Sequence, residues 1–149
     1  MKNDSSRAAR LPTAAGRLWK SLQILWASPY SLLGLCIGCL GLLGGGKGRL
    51  REGALEFYGG PTSWFVSHLP GSIPIAAITL GHVVLGQNEA ILAAVGDHER
   101  VHVRQFEKWG PAMGPAYLLA SAWLWSTGYD AYWDNPFEKE AYAKDLENQ

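Results

Sequence analysis

The stretch GDHERVHVRQFEKWG, Gly96 to Gly110, sets His98 and His102 four residues apart, with Glu99 directly after the first. The chain has only four histidines in 149 residues. Around this pair Ile91, Val95, His98, His102, Phe106 and Trp109 recur at three-to-four spacing, which predicts a helix carrying both imidazoles on its inward stripe. Asn88 is placed to cap that helix at Glu89, and Pro111 ends it. Side chains at i and i+4 stand one above the other about a turn apart, so two ring nitrogens can reach one tetrahedral ion at ~2.0–2.1 Å. Glu99 leans toward the same opening, where a carboxylate can take a proton from a metal-activated water. Chance supplies H-E-x-x-H about 0.006 times in a chain of this composition. That favours a metal site over a helix with two buried core histidines.

Upstream, from Leu50 to Leu85, the segments ALEFY, SWFVSHL and IPIAAITLGHVVL are separated by GGP and PGS, breakers that suit short strands and turns. In the last of them Ile78, Leu80, His82 and Val84 alternate with Thr79, Gly81, Val83 and Leu85. Both faces are apolar, so a well-covered strand over 78–85 is expected. A small sheet thus feeds the histidine helix.

Residues 21–46 form the first apolar region, with SLQILWASPYSLLGLCIGCLGLL at Ser21–Leu43 free of charge and long enough for a hydrocarbon core of ~30 Å. Residues 1–20 make a basic leader with Lys2, Arg7, Arg10, Arg17 and Lys20, and Lys47, Arg49 and Arg51 make the far flank of the apolar region basic too. No small-x-small cleavage site follows the apolar run, so it reads as a retained membrane segment rather than a signal peptide. It either crosses once, with the amino terminus in the cytoplasm, or forms a re-entrant or interfacial pair bent at Pro29. GLLGGGKG has phosphate-loop spacing up to Lys47, but Gly48 replaces the magnesium-binding hydroxyl and no core strand precedes it. Cys36 and Cys39 lack the context of a redox motif; small-residue helix packing at Gly34 and Gly38 is the simpler reading. With 13 basic and 13 acidic residues, no overall field favours nucleic acid.

Downstream, AYLLASAWLW predicts a short apolar helix, with Trp123, Trp125, Tyr129, Tyr132 and Trp133 suited to a headgroup interface or to a core. Asn135 as cap and Pro136 as first residue predict a last helix to about Glu147. On it Glu138, Ala141, Tyr142 and Asp145 share a face.

The H-E-x-x-H string resembles that of the zincin metallopeptidases. The branch with a third histidine is excluded, because Gln105 and Lys108 stand where it needs glycine and histidine. The remaining branch, the gluzincins, takes a glutamate from a later helix, in membrane members within Glu-x-x-Ala-Asp. Here Glu138-x-x-Ala141 matches, with Tyr142 in place of the aspartate. The resemblance implies Glu138 as third ligand and Glu140 as the reserve; Asn135-x-x-Glu138 is also the spacing of a capping box, which needs no metal. A shell around the ligands would come from Asp97, Asp130, Asp134 or Asp145. Arg100 and Arg104 depart from the usual uncharged neighbours and are expected to face solvent or lipid headgroups.

The expected fold is therefore α+β: a small zincin-like domain over 47–149 behind an N-terminal membrane segment. The expected function is a membrane-associated metallopeptidase with one Zn(2+) ion per chain, Glu99 as general base, and a peptide or protein substrate lying along the Thr79–Leu85 strand. Tyr142 or Tyr132 would supply an oxyanion donor; His82 reads as a structural residue of the strand, with a substrate contact as its alternative role. The alternative is a non-catalytic membrane protein or complex subunit with a structural or vestigial metal site.

Overall fold

The computed structural model describes residues 13–70 and 74–147. Within them lie six α-helices and one four-stranded sheet, a mixed α+β arrangement. Helices α1 (Ala14–Trp26) and α2 (Ser28–Leu43) lead into strands β1 (Lys47–Arg51) and β2 (Ala54–Tyr58). Helix α3 (Gly60–Ser67), strands β3 (Ala77–Leu80) and β4 (Val83–Gly86), and helix α4 (Glu89–Trp109) follow. A 3-10 turn then joins α4 to α5 (Met113–Ser126), and α6 (Pro136–Glu147) closes the described chain.

The sheet order is β1-β2-β4-β3, antiparallel except for the parallel pair β2 and β4. Glu52 and Gly53 both have positive φ, 51° and 84°, which makes the β1–β2 connection a type I′ turn, whose twist suits a hairpin. Leu80 pairs with Val83, and Gly81 takes φ 64° between them, so β3 and β4 form a second two-residue hairpin. The single strand expected over 78–85 is therefore folded in half, with His82 on its turn. Strands β1 and β3 lie at the two sheet edges, and β3 is the one beside α4.

Alternation along the strands divides the core into two layers. Phe57, Val83 and Leu85 pack with Val66 of α3 and with Leu35 and Ile37 of α2, while Ala54 and Val84 pack with Leu92 and Val103 of α4. The sheet is thus sandwiched between α2 with α3 on one face and α4 on the other. A third cluster, Ala27, Phe106, Met113 and Phe137, ties the α1–α2 junction to α4, α5 and α6.

Three expectations change here. SWFVSHL is helical: Gly59 and Gly60, with φ 76° and 52°, turn the chain, and Pro61 in the first turn favours a helix start. KGRLR, expected as a basic membrane flank, is β1, so GLLGGGKG runs into a strand and lacks the helix N-terminus that a phosphate loop needs. The bend in the N-terminal apolar region falls at Ala27 rather than Pro29, which sits in the first turn of α2.

Among the described residues no single helix is long and apolar enough to cross a membrane; α1 and α2 meet that test only as a pair bent by 67°. Gly34, Gly38 and Gly41 form the buried face of α2, against Val83, Phe57 and Thr62. Leu32, Leu33, Leu40 and Leu43 on its other faces are exposed, as are Leu118, Leu119, Trp123 and Trp125 on α5. Lys2, Arg7 and Arg10 of the basic leader lie outside the described residues.

Candidate metal centre

Helix α4 begins as its sequence dictates, with Asn88 accepting from the Ile91 backbone N–H at 2.9 Å. From there His98, Glu99 and His102 reach buried positions facing the edge strand and α6. Helix α6 is fixed by Asn135, which is wholly buried and accepts from Phe137 N at 3.0 Å. Its amide donates to Ser121 Oγ at 2.8 Å and to the Tyr117 carbonyl at 3.2 Å, both on α5. The Glu138 carboxylate is thereby turned inward instead of back toward the cap, as a capping box would have it.

The Nε2 atoms of His98 and His102 lie 3.2 Å apart. Glu138 Oε2 is 3.1 Å from the first, and Glu138 Oε1 is 3.5 Å from the second. A tetrahedral ion with ligand bonds of ~2.0–2.1 Å needs ligand atoms about 3.3–3.4 Å apart. With the nearer Glu138 oxygen taken for each ring, the separations in the buried trio His98, His102 and Glu138 lie close to that spacing, and the trio could hold a metal ion.

The surrounding contacts orient the ligands. Asp145 Oδ2 stands 3.2 Å from His98 Nδ1; a carboxylate only accepts, so Nδ1 carries the hydrogen and Nε2 is left to ligate. Tyr117 donates its hydroxyl to Glu138 Oε1 at 2.8 Å, and the Tyr142 ring packs on His98 with centroids 4.5 Å apart. His102 Nδ1 lies 2.8 Å from Gln105 Oε1. Thr79 of β3 donates to Glu99 Oε2 at 2.6 Å, setting the carboxylate beside the trio.

Electrostatically the trio favours positive charge beside Glu138. Burial disfavours a charged His102, yet the bond to Glu138 and the nearby Glu99 outweigh it and raise its pKa to about 9. His98 shifts the same way, against its burial, through Glu138. Glu138, although buried, is held far below the carboxylate range by His102, His98 and Tyr117. Burial and the neighbouring Glu138 push the Tyr117 hydroxyl well above the tyrosine range.

A cleft of about 750 Å³ opens over the trio. Thr79, Glu99, Tyr117, Tyr132 and Tyr142 line it beside apolar residues such as Ile78, Leu80, Met113 and Leu118. Tyr132 and Tyr142 share a hydrogen bond of 3.1 Å between their hydroxyls. The cleft therefore holds three ligand groups, the Glu99 carboxylate and the hydroxyls of Thr79, Tyr117, Tyr132 and Tyr142, with an edge strand as one wall.

Other expected residues fall elsewhere. Glu140 is exposed and accepts from Gln105 Nε2 at 2.9 Å, outside the trio. His82 lies away from the cleft, on the β-turn, with Nε2 3.0 Å from Glu107 Oε1. Arg100 is buried rather than solvent-facing: it donates to Gly96 O at 2.6 Å and pairs with Glu52 at 2.5 Å, because the β1–β2 hairpin folds over it. Arg104 is exposed, as expected. Thr79, Gln105 and Tyr117 gave no functional signal by spacing. Gln105 could have been noticed, since it is a polar residue one turn beyond His102 on the buried face of the same helix.

Comparison with protein families, curated proteins and solved structures gives no match for this chain. Fold and site together define a mixed α+β chain with a buried His-His-Glu group able to hold a metal ion.

Proposed function

We propose that the chain is a membrane-associated zinc metallopeptidase of gluzincin type. The observation that carries this reading is the tetrahedral spacing of His98 Nε2, His102 Nε2 and the Glu138 carboxylate, with Glu99 held beside them in the same cleft. Two imidazoles and a carboxylate suit zinc, and three protein ligands leave a fourth position open, as catalytic zinc sites do. When bound, zinc would supply Lewis-acid activation of water and of a peptide carbonyl.

The chain's own groups have definite tasks in that reaction. Glu99 takes the proton of the attacking water on the oxygen that Thr79 leaves free, then returns it to the leaving amine. Tyr132 and Tyr142, whose hydroxyls meet in the cleft, are the donors available to a developing oxyanion. The free edge of β3 offers backbone groups to an extended peptide substrate. Membrane association rests on the exposed apolar surfaces of α1, α2 and α5, which exceed what scattered surface residues explain.

The same exposed surfaces also favour the second reading, a non-catalytic subunit of a membrane complex with a structural metal. Glu99→Gln separates the two. With zinc-loaded protein in detergent and a mixed fluorogenic peptide pool, the peptidase loses turnover on this change and keeps its zinc; a subunit loses nothing that the assay reads.

A further inference from the structure

The contacts around Gln105 point to a positioning residue that ties the second ligand to the helix bearing the third, an inference that rests on the metal reading above. Gln105 is only 3 % exposed. Its Nε2 donates to the Phe137 carbonyl at 3.0 Å and to Glu140 Oε2 at 2.9 Å, both on α6. Neither partner can donate, which fixes the amide nitrogen toward α6 and turns Oε1 toward His102 Nδ1, 2.8 Å away. An amide oxygen only accepts, so His102 carries its hydrogen on Nδ1 and offers Nε2 to the site.

Helix α6 therefore does more than carry Glu138. Asp145 sets the ring of His98 directly, and Phe137 and Glu140 set the ring of His102 through Gln105. Docking of this one helix delivers the third ligand and selects the ligating nitrogen of the other two. Glu140, which is exposed and outside the trio, gains a task as the group that holds the Gln105 amide in one orientation.

The test uses the full chain in detergent, with zinc affinity from chelator competition, nitrogen-15 NMR of His102 in the zinc-loaded protein, and hydrogen exchange over residues 136–147 without metal. Gln105→Leu should weaken zinc binding about tenfold to a hundredfold, mix the His102 nitrogen signatures and speed α6 exchange. Glu140→Ala, at an exposed position, should fold and show the same effects more weakly. The double variant Gln105→Glu with Glu140→Gln exchanges carboxylate and amide, so position 105 still accepts from His102, and it should recover part of the affinity. Wild-type zinc affinity with unchanged His102 signatures in Gln105→Leu and Glu140→Ala would overturn the proposal. If the wild-type protein binds no zinc, the metal reading fails. The α6 link is then judged by exchange alone: faster in Gln105→Leu supports it, and equal rates overturn it.

Discussion

Thr79 on the edge strand donates its hydroxyl to the Glu99 carboxylate across 2.6 Å, joining the strand that borders the cleft to the helix that bears both histidines. The bond leaves one Glu99 oxygen for proton transfer and fixes where it points. Thr79→Val keeps the side chain's shape and removes the donor. It should lower turnover about tenfold while zinc content stays at the wild-type level, as paired activity and metal measurements would reveal.

Removing the base itself has a larger effect. Glu99→Gln should cost about 10²- to 10⁴-fold in turnover, with zinc affinity close to wild type, because Glu99 is not among the ligand atoms. Loss of zinc together with activity would instead assign Glu99 a structural part.

The metal-free protein should show a definite dependence on pH. His102 has its folded pKa raised to about 9, from an ordinary histidine value near ~6.5. Its stabilisation is therefore fully present below about pH 6.5 and is lost as pH rises through about 9. Glu138 shifts downward, so its contribution is present above the ordinary glutamate value near ~4.3 and is lost as pH falls further. Melting temperatures in chelator should accordingly be highest between these limits and fall on both sides. Zinc competes with the His102 proton, so zinc affinity should rise with pH up to about 9. An affinity independent of pH between 6 and 9 would contradict this.

Asn135 is wholly buried, caps α6 and donates to two groups on α5. Asn135→Ala strands those groups and should cost about 1–3 kcal/mol, read by denaturant melts, with zinc affinity falling because Glu138 rides on the same helix.

The two sides of α2 should respond oppositely. A side chain at Gly34 would meet Val83 Cβ at 2.7 Å, so Gly34→Leu should destabilise by about 1–3 kcal/mol. Leu33 is exposed, and Leu33→Ser should change stability by no more than about 0.5 kcal/mol while lowering recovery with liposomes. Equal liposome recovery would count against a bilayer contact at this face.

What the sequence disclosed was mostly local. The span of α4 and its Asn88 cap, and α6 with Asn135 and Pro136, were legible because capping and helical period depend on neighbours a few residues away. The pairing of His98 with His102 followed from the same period. Gly81 was hidden in an apolar run that reads as one covered strand, although a glycine at the first turn position is what a tight hairpin needs. SWFVSHL has strand-like composition, but its Gly-Gly-Pro entry and packing under the sheet make it helical. Length and apolarity marked α2 as a membrane segment, while its glycines are also a contact surface, Gly34 and Gly38 for the sheet and Gly41 for α3. Thr79 and Tyr117 are ordinary residues of their own elements, and tertiary contact alone brings them to Glu99 and Glu138.

The central claim is tested most directly by zinc content per chain, measured by mass spectrometry on detergent-purified wild type and on His98→Ala, Glu138→Gln and Glu140→Gln. One zinc per wild-type chain is expected, lost with His98→Ala, weakened strongly with Glu138→Gln and only modestly with Glu140→Gln. A folded wild-type protein without stoichiometric metal would contradict it and leave HERVH as a helix with two buried histidines.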